Sequence, residues 1–263
     1  MDWNLFIVML ILGGIGSFFS GLLGIGGAII HYPLLLFIPS ALGIARFTAQ
    51  QVSAISMFQV FFSALAGVLA YRSHVRNGPA LIHKGLVRCM GTSILLGSLI
   101  GGISSTYLSG EAIHLVYGVV AIVAVVLMLF PNKGTPQAAP HEMAFHKPTA
   151  AAAAFVVGVV SGIVGAGGAF ALIPIMLTVL KISTRVAIAS SLAIVFISAV
   201  GGVIGKIAAG HIPLMPTVFT VIGSLLGAPI GSRLSTKINV RVLRYGLVVV
   251  ITASAIKIWL SVF

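Results

Sequence analysis

The sequence predicts an all-α polytopic membrane protein built from two inverted repeats. Three observations carry that expectation. First, 59% of the 263 residues are hydrophobic and only 7% charged, with a mean hydropathy of +1.19; soluble domains are about 45–50% apolar and about 25% charged. Second, the apolar residues fall into charge-free runs long enough to cross a bilayer. Third, a Gly-rich motif recurs 141 residues further along the chain.

The runs are 3–45, 47–71, 89–110, 112–132, 148–180, 186–205 and 207–232, followed by 245–263, which only Lys257 interrupts. A spanning helix needs about 20 residues, and most runs suit one crossing. Runs 3–45 and 148–180 do not. With 43 and 33 residues they would reach about 64 and 50 Å as straight helices, so each must break or turn back. The N-terminus, Met1-Asp2-Trp3-Asn4, has no basic region, and the apolar stretch behind it is too long for a signal sequence. The first segment is therefore expected to stay in the mature protein.

Each long run carries its own break. The first reads Ser20-Gly21-Leu22-Leu23-Gly24-Ile25-Gly26-Gly27-Ala28, with Pro33 and Leu36 beyond it. The second reads Ser161-Gly162-Ile163-Val164-Gly165-Ala166-Gly167-Gly168-Ala169, with Pro174 and Leu177 beyond it. Spaced identities over this length mark an internal repeat rather than shared membrane composition. Ser63-Ala64-Leu65-Ala66-Gly67 and Ser198-Ala199-Val200-Gly201-Gly202 extend it, as do Gly97-x3-Gly101 and Gly227-x3-Gly231. The halves are expected to be 1–130 and 148–263. Segment 131–147, with Pro131, Gly134, Pro136 and Pro140, is the linker between them.

Loop charges choose between two topologies. If each long run crosses once, the basic residues divide eight to seven. If each long run is a hairpin returning to its own side, they divide twelve to three, with only Arg46, Lys206 and Lys257 on the poorer side. The positive-inside rule favours the hairpins. The halves are then inverted, the linker is cytoplasmic and both termini lie outside. Each half has one Gly-broken hairpin and three further spanning helices.

Composition also excludes chemistry. Fifteen Lys and Arg stand against three acids, a formal charge of +12. The basic residues are scattered between apolar runs, as anchors facing lipid headgroups are, so no nucleic-acid partner is expected. Asp2, Glu111 and Glu142 lie at run ends or in loops. Carboxylate-pair catalysis, carboxylate metal sites and the usual carboxylate proton relay are thus not expected. A lone Cys89 forms neither an intramolecular disulfide nor a Cys-based metal site. The Gly clusters lack the third glycine of a dinucleotide fingerprint, and Gly205-Lys206 lacks the first glycine of a phosphate loop, since position 200 is Val. An enzyme is not expected, and neither is a cofactor or a metal.

The breaks themselves are candidate chemistry. Irregular backbone survives at membrane depth only inside protein or along a wet cavity. Helices starting at Ala28 and Ala169 would aim free N–H groups and positive dipole ends inward, ready for an anion. Matching breaks in two repeats are a pointer to a transporter's binding site. Gly24, Gly26, Gly27, Gly165, Gly167 and Gly168 are therefore candidate substrate-binding positions. Gly13, Gly14, Gly97, Gly101, Gly227 and Gly231 read instead as close helix packing. Gln50, Gln51, Ser53, Ser190 and Ser191 open the next segment of each half. Their uncharged donors suit an oxyanion that must also be released, and they suit interhelical hydrogen bonds equally well. Arg46 and Arg185 are accessory candidates, able to attract an anion at a mouth or to snorkel to the interface. His31, just past the first break, is either an intramembrane proton-binding group or a packed core histidine; its repeat mate is Leu172.

The paired Ser-Gly-x2-Gly-x-Gly-Gly-Ala motifs, each followed by proline, resemble the TauE/SafE sulfite exporter family, also called the four-toluene sulfonate uptake permease family. The similarity covers essentially the whole chain, including Gly223-Ser224-Leu225-Leu226-Gly227-Ala228-Pro229-Ile230-Gly231. It implies movement of sulfite, thiosulfate, sulfonates or other small organic anions across the bacterial inner membrane. The second half follows the family pattern with Ser190-Ser191, whereas the first has Gln50-Gln51-Val52-Ser53 where a small-Ser pair is common.

The expectation is therefore an inner-membrane carrier of a small sulfur-containing or organic anion, bound near midplane between the hairpins. Its partners are that anion and the lipid bilayer, and a homo-oligomer is compatible with the sequence. An inside-negative potential is worth about 2.3 kcal/mol per charge per 100 mV and expels anions unaided, so export is expected over driven uptake. A gated anion channel, or a proton- or ion-coupled uptake permease, is the alternative.

Overall fold

Long apolar runs in a chain with few charges satisfy their backbone polar groups internally by forming helices, and helices are what the computed structural model contains. It describes residues 3–23, 28–74, 83–129, 146–182 and 184–234, with Val249, Thr252 and Ile256. Gly24, Gly26 and Gly27, nearly all of the 131–147 linker and nearly all of run 245–263 lie outside the described residues. Among those described, nine helices and no strand occur: α1 (Trp3–Leu23), α2 (Ala28–Ala41), α3 (Ala49–His74), α4 (Lys84–Ser104), α5 (Gly110–Leu129), α6 (Lys147–Val164), α7 (Ala169–Thr178), α8 (Thr184–Ala209) and α9 (Leu214–Leu234). Six of them (α1, α3, α4, α6, α8 and α9) are long and apolar enough to cross a membrane.

The second over-long run breaks where its glycines stand, and in the first run separate helices lie on either side of residues 24–27. Run 3–45 becomes α1 and α2; run 148–180 becomes α6 and α7. The second helix of each pair starts at Ala28 and Ala169, the residues that follow the motif glycines. One boundary differs from the charge-based reading. Helix α8 runs on through Lys206 to Ala209, and Lys206 is buried, 2% exposed. It is no loop anchor. A lysine is tolerated there because its ammonium finds oxygens to bond.

Helix directions follow from side-by-side contacts. A Cβ on Gly223, Gly227 or Gly231 of α9 would collide with the carbonyl of Leu10, Gly14 or Phe18 of α1, so α1 and α9 run parallel. Gln59 Nε2 donates to Ser17 Oγ at 2.8 Å and Ser63 Oγ to Ser20 Oγ at 2.8 Å, so α3 runs parallel to α1. Gly97 and Gly101 of α4 face the carbonyls of Phe155 and Val159 of α6, and Gly201 and Gly205 of α8 face those of Leu95 and Leu99 of α4. Helices α4, α6 and α8 are therefore parallel. Gly67 lies against Leu192 and Gly202 against Met57, so α3 opposes α8, and with it one triad opposes the other.

Two consequences bear on function. Helices α6 and α8 share a direction, so the chain returns between them through the break and α7. Helices α1 and α3 share one too, so it returns there through α2. The glycine contacts also repeat, 141 residues on for α1 and α6 and 130 residues on for α4 and α9: Gly227 against Gly14 matches Gly97 against Phe155, and Gly231 against Phe18 matches Gly101 against Val159. Each triad combines helices from before and after residues 131–147. Bare glycine surfaces let these backbones approach closely, the packing mode that serves where lipid supplies no hydrophobic drive.

Candidate functional site

The second break is fully described, and its geometry is set by glycine. Gly165 ends α6 at φ 81°, and Gly167 and Gly168 follow at φ 70° and 81°. Left-handed backbone costs a residue with a Cβ roughly 1–2 kcal/mol. Space excludes a side chain as well, since a Cβ on Gly165 would collide with the Ser53 carbonyl. The N–H groups of Gly165 and Ala166 both turn back to the Ser161 carbonyl, at 2.7 and 3.0 Å. Gly168 then caps α7 with no side chain to satisfy the first-turn N–H groups. Ala166, Ala169 and Phe170 around it are buried. Gly167 packs against Val60 of α3 and Val195 of α8, which places the turn within the depth of both spans.

Ser161 stands beside this buried, uncapped helix start. Its Cβ is 3.6 Å from the position a Cβ on Gly168 would take. The residue is 0% exposed, and its Oγ has no hydrogen-bond partner among the described residues. Ser198 Oγ is buried and unpartnered too. Their repeat mates in the first half, Ser20 and Ser63, bond to each other. A buried hydroxyl left without a partner costs about 1–3 kcal/mol, so these two donors mark where the second half has hydrogen-bonding capacity to spare.

The polar residues at the head of α3 are held by the protein itself. Thr48 N donates to Gln51 Oε1 at 3.0 Å, and Gln51 N to Thr48 Oγ1 at 3.3 Å. That is a capping box. Gln50 Nε2 donates to the Leu108 carbonyl at 3.0 Å. Ser53 Oγ donates to the Ile163 carbonyl at 2.6 Å. The same carbonyl accepts Lys206 Nζ at 3.1 Å, and that ammonium also donates to Ser105 Oγ at 2.7 Å. Ile163 lies in the last turn of α6, where carbonyls lack intrahelical partners. Ser53 and Lys206 cap it.

Ser190 and Ser191, both buried, are at the other end of the molecule. Ser190 Oγ accepts from His83 N at 3.1 Å, at the start of α4. It lies sixteen residues before Lys206 on α8, about 24 Å along the axis. The structure does not bring Gln50, Gln51 and Ser53 together with Ser190 and Ser191. Arg46 is exposed before α3. Arg185 lies in the first turn of α8, and its side chain is outside the described residues. His31 is 0% exposed, with Nδ1 3.5 Å from Ser56 Oγ and Nε2 unpartnered among the described residues. It sits in a buried polar seam with Ser17, Ser20, Ser56, Gln59 and Ser63 between α1, α2 and α3.

Lys206 is the residue the sequence reading missed. Its signal was present: a lone cation cutting an otherwise apolar stretch from 186 to 232. Intramembrane ionisable residues are functional candidates by default.

A helical chain with six membrane-length spans and a buried backbone break is a polytopic membrane protein of the transporter type. The chain belongs to the Sulfite exporter TauE/SafE family, whose sequence profile matches residues 9–258. It is 25% identical over 265 residues to the Bacillus subtilis (strain 168) "Probable membrane transporter protein YunE", covering 93% of this chain and 95% of that one. It is 30% identical over 233 residues to a "Probable membrane transporter protein" of Xylella fastidiosa (strain Temecula1 / ATCC 700964), covering 86% of this chain and 84% of the relative. No solved structure matches significantly.

Proposed function

We propose that the protein carries a small sulfur-containing or organic anion, such as sulfite, thiosulfate or a sulfonate, out across the bacterial inner membrane. The observation that carries this reading is the buried start of α7, uncapped and flanked by the unpartnered Ser161 hydroxyl. Free N–H groups, the positive end of a helix dipole and a neutral donor together suit an oxyanion, and neutral donors let it leave again. Packing of Gly167 against mid-span residues supports a site near midplane.

The carrier is built from two inverted repeats, each a Gly-broken hairpin with three further spanning helices. Support comes from the opposed triads, the return of the chain through α2 and α7, and the glycine contacts that recur with the repeat offsets. The starts of α4, α6 and α8 carry Lys84, Lys147 and Arg185. That end is the cytoplasmic one by the positive-inside rule, with linker 131–147 between the halves and both termini outside. Hairpins opposed about a fixed site suit alternating access.

The test is counterflow of labelled sulfite, thiosulfate and short sulfonates in proteoliposomes, with and without an imposed potential. Saturable exchange of at least one anion that responds to potential supports the carrier. Unsaturable flux supports a pore, and no exchange with folded protein removes this substrate class.

A further inference from the structure

The one buried cation among the described residues has no carboxylate partner. Lys206 is 2% exposed inside the α8 span. Its neighbours are neutral oxygens, Ser105 Oγ at the end of α4 and the Ile163 carbonyl at the end of α6. Glu111, the one acid among the described residues, is exposed on the first turn of α5. These oxygens and the negative end of α6 hold the ammonium at rest, and burial within a span leaves it to gain further from an anion that comes within reach. Two hydrogen bonds use two of the three ammonium donors and leave one in hand.

Position strengthens the case. Ile163 is two residues before Gly165, where α6 ends, so the ammonium sits at the root of the second break. The positive start of α7 faces the same turn. Within the second half, the ammonium on the C-terminal carbonyl of α6 and the positive start of α7 therefore flank one turn. The first half has no counterpart: the offset that pairs Ser63 with Ser198 places Tyr71 opposite Lys206.

We propose that Lys206 is the countercharge for the transported anion, and that the second hairpin is thereby the anion-binding half of the carrier. This deepens the anion-carrier reading and rests on it. With the hairpin closed, Lys206 spends its donors on Ser105 and Ile163. When the hairpin moves, the ammonium is handed to the anion. The ligand class is a small oxyanion, and a dianion gains more from the lysine than a monoanion does.

The competing role is a neutral staple, in which Lys206 matters only as a hydrogen-bond donor to Ile163. Four forms separate the two: wild type, K206R, K206Q and K206M. Each is purified, shown monodisperse, and assayed for thermal stabilisation by thiosulfate and by methanesulfonate. The countercharge predicts wild-type stabilisation by both, largely kept in K206R. In K206Q and K206M the apparent Kd rises tenfold or more, and the loss is larger for thiosulfate. K206Q binding like wild type overturns the countercharge, as does an equal loss for both anions. Equal failure of K206R and K206M also overturns it. Wild type stabilised by neither anion, nor by sulfite, overturns the carrier reading itself, which is a different result from wild-type binding that persists in K206M.

Discussion

Replacing Gly165 by alanine tests the geometry of the second break through one methyl group. Two costs combine. At φ 81° the alanine pays roughly 1–2 kcal/mol for left-handed backbone. Its Cβ would also collide with the Ser53 carbonyl. That obstacle is backbone in α3, and separating packed backbones costs typically about 1–3 kcal/mol. The expected loss is thus about 2–5 kcal/mol. Gly43→Ala is the internal control, because Gly43 is also left-handed, at φ 67°, but has nothing within 4 Å of a Cβ; it should lose only the roughly 1–2 kcal/mol backbone part. Gly14→Ala is the opposite control. Its Cβ would meet only the Gly223 carbonyl, at 3.6 Å, and helix propensity should return up to about 1 kcal/mol. The assay is thermal unfolding of purified protein in one detergent at one lipid ratio. The order of melting temperatures should be Gly14→Ala highest, then wild type, Gly43→Ala and Gly165→Ala. Gly165→Ala melting with or above Gly43→Ala would refute the close approach of the break to α3.

Other changes separate structural residues from binding residues. Ser161→Ala deletes a hydroxyl with no partner, so the melting temperature should hold or rise while KM for the transported anion rises several-fold; unchanged KM counts against the site. Gln51→Ala should lower stability by about 0.5–2 kcal/mol through loss of its capping box and leave KM unchanged, whereas a raised KM at wild-type stability would restore Gln51 to the binding site. Gly227→Val puts a branched side chain against the Gly14 carbonyl; the protein should fail to accumulate in the membrane, and normal yield in immunoblots would contradict the α1–α9 contact.

Much of this fold was legible in the residues because bilayer physics is strict. A run too long for one crossing must bend, and glycines show where, so the starts of α2 and α7 at Ala28 and Ala169 followed from sequence alone. What was not legible is how neighbouring groups pair across helices. Gln51 looks like a donor for an anion in one dimension, and in three it closes a local cap with Thr48. Ser53 and Ser190 both lie near the start of a long helix, yet α3 and α8 run in opposite directions and so place them at opposite ends. Lys206 read as a loop boundary because a charge ends an apolar run on paper. In the fold, carbonyls freed by a broken helix are what make it tolerable within a span. Ser161 lay inside the motif all along, but only the absence of a partner distinguishes it from Ser20.

The central claim is that a small oxyanion occupies the start of α7 beside Ser161. Anomalous diffraction from crystals grown with selenite in place of sulfite, or with a brominated sulfonate, tests it most directly. The account predicts a selenium or bromine peak enclosed by the second break, in hydrogen-bond reach of Ser161 Oγ and the first N–H groups of α7. An ordered peak at the head of α3, beside Gln50 and Gln51, with the break left empty, would contradict it.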